Sequence, residues 1–123
     1  MLLSGCSSGV YSLAYVARGD STNLLGLTKT VSFPSNEDLN VIVKLNEHDD
    51  PVDVEVTFYR PDGEIENTLQ YTAVPGVGTV VLGLDWEQKQ ENSEDEERWV
   101  TGRWIVKIKI DGEEVDELDF RVN

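Results

Sequence analysis

Apolar side chains recur at every second position along most of this chain, and that alternation is what most constrains its fold. Tyr11, Leu13 and Tyr15 form the first row; Leu25, Leu27, Val31 and Phe33 form the second, with Lys29 interrupting it. Leu39, Val41, Val43 and Leu45 follow, then Val52, Val54, Val56 and Phe58. Ile65, Leu69 and Tyr71 come next, then Val80, Leu82, Leu84 and Trp86. The last rows are Trp104, Val106, Ile108 and Ile110, and Leu118, Phe120 and Val122. In an extended chain successive side chains point to opposite faces, so each row predicts a strand with one buried and one wet side. No helical period competes with this pattern.

The punctuation agrees with the periodicity. Pro34, Pro51, Pro61 and Pro75 all fall between the rows, where a missing N–H breaks no ladder bond. Arg60-Pro61-Asp62-Gly63 and Asp111-Gly112 read as tight turns, because glycine supplies the positive φ such turns require. Gly83, inside a strand row, predicts a bulge or a close backbone approach. Seven to eight short antiparallel strands with turns at this spacing predict an all-β, two-sheet sandwich. The last hairpin should join Trp104–Ile110 to Val115–Val122.

At 123 residues the chain has the length of one domain and can bury a core without disulfide or metal. Its hydrophobic fraction of 39% supports a packed interior. Charge is the outlying quantity: 10 Lys and Arg against 24 Asp and Glu leave a formal net charge of −14. Such a surface repels nucleic-acid phosphates and anionic headgroups, and favours solubility and basic partners. A saline habitat is one possible reason for it. A single cysteine excludes an intrachain disulfide and a thiolate metal cluster. No apolar run is long enough for a transmembrane helix. Met1-Leu2-Leu3 is too short to be the apolar core of a cleavable signal.

Chemical candidates are few. The only histidine, in Glu47-His48-Asp49-Asp50, lacks the second His or Cys that a zinc site needs, and reads as a polar hairpin loop. No serine or cysteine has a nucleophile motif, so no catalytic residue is assigned and no enzyme is expected. No cofactor or metal is expected either. The segment 87–98 holds six acidic residues and no apolar one, but not the glycine-containing order of a calcium loop. It should be a loop at one end of the sandwich, with Ser93 and Glu96 at capping-box spacing for a single helical turn. Arg18-Gly19-Asp20 matches the short integrin-recognition tripeptide, but three residues are not specific and a turn ending the first strand accounts for them more simply. Trp104 is in phase with Val106 and Ile108 and should face the core. Trp86 and Trp99 flank the acidic segment and have two readings: packing at the sandwich end, or an exposed platform for a sugar ring.

Two resemblances complete the reading. Leu3-Ser4-Gly5-Cys6 resembles the prokaryotic lipobox, in which a branched apolar residue and two small residues precede a cysteine that receives a lipid. The resemblance implies lipid attachment at Cys6, with Ser7, Ser8 and Gly9 as tether and the basic and apolar part of the signal upstream of Met1. The body, with Phe33, Leu39-x-Val41, the Pro-Asp-Gly turn, Gly102-x-Trp104-x-Val106, Asp111-Gly112 and Phe120-x-Val122, is similar to the immunoglobulin-like domains of poorly characterised prokaryotic lipoproteins and envelope proteins. The expected organisation is therefore a signal remnant and tether over 1–9 and an immunoglobulin-like antiparallel sandwich over 10–123. The expected function is a non-enzymatic, lipid-anchored envelope or cell-surface module. It would face outward and bind or support a protein or polymer, with the membrane reached through Cys6 and no nucleic-acid partner. The alternative is a carbohydrate-binding module using the aromatics near 86–104.

Overall fold

In a computed structural model, which describes residues 9–19, 26–84 and 99–123, the chain forms nine strands. They are β1 (Tyr11–Arg18), β2 (Thr28–Lys29), β3 (Ser32–Phe33), β4 (Leu39–Leu45), β5 (Val52–Tyr59), β6 (Ile65–Ala73), β7 (Thr79–Leu84), β8 (Gly102–Ile110) and β9 (Glu113–Val122). One sheet has the order β2-β1-β4-β7 and the other β3-β9-β8-β5-β6. The two pack face to face as an all-β sandwich. The order, with β1, β4 and β7 in succession in one sheet and β9-β8-β5-β6 opposite, is that of an immunoglobulin-like domain.

Seven of these strands are long, and two contain only two residues. The short pair replaces the single second strand expected over 25–33. The chain crosses from one sheet to the other there, which leaves Val31 71% exposed while Phe33 is fully buried. Crossing also makes the β3–β9 ladder parallel, a departure from the purely antiparallel expectation.

The core is the inward rows of β4, β5 and β8: Leu39, Val41, Val43, Val54, Val56, Phe58, Trp104, Val106, Ile108 and Ile110. Each large side chain sealed there contributes about 1.5–3 kcal/mol by leaving water. At one end Trp104 stacks on Phe120 with centroids 5.9 Å apart, and Phe33 meets Phe120 edge-on at 5.0 Å. The Trp104 indole N–H donates to Val100 O at 2.7 Å, so the polar tip of this buried ring is satisfied.

Bulges shift the phase of three strands. Between Tyr11 and Leu13 an extra residue in β1 turns Leu13 and Tyr15 away from the core and Ala14 and Val16 toward it. The regular Tyr11-Leu13-Tyr15 row is thus broken, and Leu13 is 48% exposed. In β6 an extra residue near Ile65 has the same effect, leaving Ile65 exposed at the sheet edge. In β9 a third bulge puts Asp116 opposite Ile108, on the inward side. The Tyr11 hydroxyl donates to that carboxylate, and burial together with Asp116 pushes the phenol above its ordinary pKa.

Turn chemistry follows the sequence. Asp111 and Gly112 both adopt positive φ, 50° and 86°, as a two-residue type I′ hairpin requires. Gly83 sits in unbroken register with Asn40 and so marks a close approach, not a bulge. A Cβ at Gly83 would collide with Asn40 Oδ1 and lie 3.1 Å from Leu39 O.

Candidate functional site

The outward row of β8 is Arg103, Ile105, Lys107 and Lys109, because Trp104, Val106, Ile108 and Ile110 point inward. Register sets its neighbours. Tyr59 of β5 lies opposite Ile105, and Thr57 lies opposite Lys107. On β9, Arg121 lies opposite Arg103, Asp119 opposite Ile105 and Glu117 opposite Lys107. After Tyr59 the chain turns through Arg60-Pro61-Asp62-Gly63, where Gly63 N–H donates to Arg60 O at 2.9 Å and φ of Gly63 is 88°. Pro61 rests against Gly102, where an added Cβ would lie 2.9 Å from Pro61 Cγ.

This arrangement leaves a shallow groove of about 380 Å³ among Tyr59, Arg60, Pro61, Gly63, Arg103, Ile105, Lys107 and Glu117. Its lining holds three cations and one acid in a chain where acids outnumber cations 24 to 10. The cations are weakly neutralised. Arg60 Nε is buried without a hydrogen-bond acceptor among the described residues, and Glu66 Oε1 stands 3.9 Å away, beyond bonding range. Lys107 Nζ lies over the Tyr59 ring, 5.3 Å from its centroid, with no carboxylate within 4 Å among the described residues. Arg103 Nε donates to Asp119 at 2.9 Å, which occupies one side of its guanidinium. Arg103 and Arg121 also form a like-charge pair directly across the ladder, an arrangement that disfavours the sheet.

Lower on the same face the charges balance. Lys109 lies opposite Glu55 and Glu114, with Nζ 3.9 Å from Glu55 Oε2. A second depression of about 380 Å³ beside Arg18 and Lys29 differs from the groove, because Arg18 makes a two-point pair with Glu37 at 2.9 and 3.1 Å. That pair also occupies the arginine of the Arg18-Gly19-Asp20 tripeptide, whose Asp20 lies outside the described residues.

The other sequence candidates are placed as follows. Trp99 is 4% exposed: its N–H donates to Glu37 O at 2.7 Å and its ring meets Trp104 edge-on at 6.2 Å. A ring so enclosed offers no face to a sugar, so the stacking platform is corrected for Trp99. Trp86, Cys6 and the acidic segment 87–98 lie outside the described residues.

His48 does not sit in a hairpin loop as expected, because β4 and β5 belong to different sheets and residues 46–51 cross between them. The side chain is 8% exposed, with Nδ1 2.8 Å from Asp50 O and Nε2 3.0 Å from Val77 O. Both nitrogens facing carbonyl oxygens favour the doubly protonated ring and raise its pKa, and they leave no lone pair for a metal. Among the described residues no three His, Cys, Asp or Glu side chains converge.

The groove was not visible in the strand rows. Alternation with Trp104, Val106 and Ile108 puts Arg103 and Lys107 on the outer side of β8, and only register brings Tyr59 and Arg60 beside them. The one signal available was the concentration of Arg103, Lys107 and Lys109 on alternate positions in an otherwise acidic chain.

No family model and no curated protein sequence matches the chain. Among solved structures, the Pseudomonas fluorescens alkylpurine DNA glycosylase AlkC bound to DNA containing an abasic-site analogue is similar at 13% identity and a TM-score of 0.50. The similarity covers 76% of this chain and 27% of that one, so the chain corresponds to about a quarter of the glycosylase. The CARDB domain of the PF1109 protein from Pyrococcus furiosus, in complex with di-metal ions, is similar at 12% identity and a TM-score of 0.44, over 93% and 90% of the two chains. At this identity the similarity to the glycosylase concerns the fold alone.

Proposed function

We propose that this chain is a non-enzymatic binding or structural module of a cell envelope. It is anchored to the membrane through a lipid on Cys6 and faces outward with the Arg60–Arg103–Lys107 groove. The observation that carries the binding role is the groove itself: three cations on one depression, two of them with no carboxylate in hydrogen-bond range among the described residues, in a chain that otherwise accumulates acids. A partner, protein or polymer, would bring the complementary charge. The net charge of −14 argues against nucleic acid, whose long-range repulsion a few cations do not offset.

The anchor reading rests on Leu3-Ser4-Gly5-Cys6, and the position of the groove supports it. Asn46 holds the chain at residues 9 and 10, its N–H on Val10 O at 2.6 Å and its Nδ2 on Gly9 O at 3.1 Å. Gly9 and Val10 are therefore fixed to the sandwich, and the three residue steps from Cys6 to Gly9 would span about 10 Å at roughly 3.3–3.6 Å per extended residue. The end of the sandwich next to Gly9 contains the connection 46–51, the turn 74–78 and the turn at 111–112. These loops carry Glu47, Asp49, Asp50 and Asp111 and neither lysine nor arginine, so anionic headgroups would hold that end off the surface. Tyr59, Arg60 and Arg103 lie at the opposite end of their strands, directed away from the anchor.

Metabolic labelling with a fatty-acid analogue tests the anchor, with the gene expressed together with its upstream sequence. Label on the parent protein and none on Cys6→Ala is the expected result. Equal labelling of both, or none of the parent, contradicts it.

A further inference from the structure

We infer that the groove between the β5–β6 turn and β8 is a site for a compact oxyanion, a single carboxylate or phosphate group on a small ligand or on the tip of a larger one. This rests on the groove's being the binding surface proposed above, and it names the chemistry of the ligand. Three donors of different reach, Arg60, Arg103 and Lys107, line one depression, and arginine forks match carboxylate and phosphate oxygens in a planar, two-point manner. Of the three, only Arg103 has a carboxylate within hydrogen-bond range among the described residues, and that bond takes its Nε, leaving its outer nitrogens without a described acceptor. The like-charge pair Arg103–Arg121 beside it has no advantage for the fold, and an anion would relieve it.

The surroundings limit the size of the anionic group. Beyond the lining, which itself contains Glu117, stand Asp62, Glu64 and Glu66 on the β5–β6 side and Asp119 on the β9 side. A long polyanion would run into these carboxylates on leaving the groove, whereas one carboxylate or phosphate would not. Tyr59, Ile105 and Pro61 supply an apolar floor, so the remainder of the ligand next to the anion can be a ring or short carbon skeleton.

The test is an amide and arginine Nε–H NMR titration of the 123-residue chain at constant ionic strength, with inorganic phosphate, glucuronate and glucose as separate arms. Saturable shifts over residues 59–63, 103–107 and 117–121 with either anion, and none with glucose, are expected. Phosphate alone, glucuronate alone or both would each support the inference and identify the source of the oxyanion. In Arg103→Gln/Lys107→Gln the affinity should fall at least tenfold while the rest of the spectrum stays that of the folded chain. Non-saturating shifts spread over the surface, shifts equal with glucose, or affinity unchanged in the double variant would overturn it. Failure here would leave labelling of Cys6 unaffected, so the anchored-module reading and the oxyanion fail separately.

Discussion

The outer faces of the two sheets have opposite chemistries. Away from the core, the five-stranded sheet shows Glu55, Arg103, Lys107, Lys109, Glu117, Asp119 and Arg121. The four-stranded sheet shows Leu13, Tyr15, Ala17, Ile42 and Val81, with Lys29 and Lys44 at its margins and no acid on β1, β4 or β7. On this second face Ile42 is only 7% exposed and Ala17 and Asn40 are sealed from solvent. The Asn40 amide nitrogen is satisfied by donating to Ala17 O at 3.2 Å and Gly19 O at 3.0 Å, while its Oδ1 is buried with no donor among the described residues. Strand alternation is thus not the same statement on both sheets: one outer face is apolar and partly sealed, and the other carries solvated charge.

The contrast breaks most visibly if a charge is moved from one face to the other. Ile42→Asp should destabilise by more than about 3 kcal/mol, since it places an unpaired carboxylate where an alkyl group is sealed in. Lys107→Ile, the converse exchange on the five-stranded face, should stay within about 0.5 kcal/mol. Urea unfolding midpoints at unchanged m-value measure both. Similar losses from the two substitutions would dissolve the distinction.

Gly83→Ala probes the same sealed face through the backbone. The new methyl group meets Asn40 Oδ1 and Leu39 O, so either the asparagine or the ladder shifts, at a cost of about 1–3 kcal/mol. Thermal unfolding as stable as the parent would show that Asn40 is not held where the register places it.

The end of the sandwich offers a pH-dependent version of the comparison. His48 bridges the 46–51 connection to the 74–78 turn through Val77 O and is held within its own segment by Asp50 O, with Glu47, Asp49 and Asp50 on that segment and no titratable group on 74–78. Its folded pKa is raised, so its stabilising contribution is complete below the unfolded value of about 6.5 and is lost as pH rises through the folded value. The Tm gap between parent and His48→Gln should be widest near pH 5.5 and narrow progressively above pH 6.5. A gap that widens with pH would mean the neutral ring makes the bridge. A small effect of the opposite sign should come from Arg121→Glu, which replaces a like-charge cross-strand pair by an opposite one and should stabilise by about 0.2–1 kcal/mol in low salt.

Much of the scaffold is legible from local pattern. Val52-x-Val54-x-Val56-x-Phe58 and Trp104-x-Val106-x-Ile108-x-Ile110 need no information beyond their own period, because each strand buries one whole face. Asp111-Gly112 specifies its turn through two residues that tolerate positive φ. What escapes local reading depends on distant partners. The bulge that reverses Leu13 and Tyr15 is defined by pairing with Leu45 and Lys44, and the parallel β3–β9 contact joins residues near positions 32 and 122. Trp99 keeps two readings, packing or solvent platform, until Glu37 O and Trp104 are brought to it. The groove is of the same kind, since Tyr59 and Arg60 meet Arg103 only through the β5–β8 register. Function is less legible than fold for this reason: the fold is written in periods, the site in juxtapositions.

The central claim is that Arg60, Arg103 and Lys107 are placed for a ligand and not for the fold. It is tested most directly by urea unfolding of Arg60→Gln/Arg103→Gln/Lys107→Gln and of the parent chain, each with and without saturating phosphate or glucuronate. Without anion the triple variant should lie within about 1 kcal/mol of the parent, as surface substitutions do. With anion the parent alone should gain stability, because only a folded site that binds the ligand shifts the equilibrium. A triple variant several kcal/mol less stable, or one that gains as much from the anion as the parent, would contradict the account.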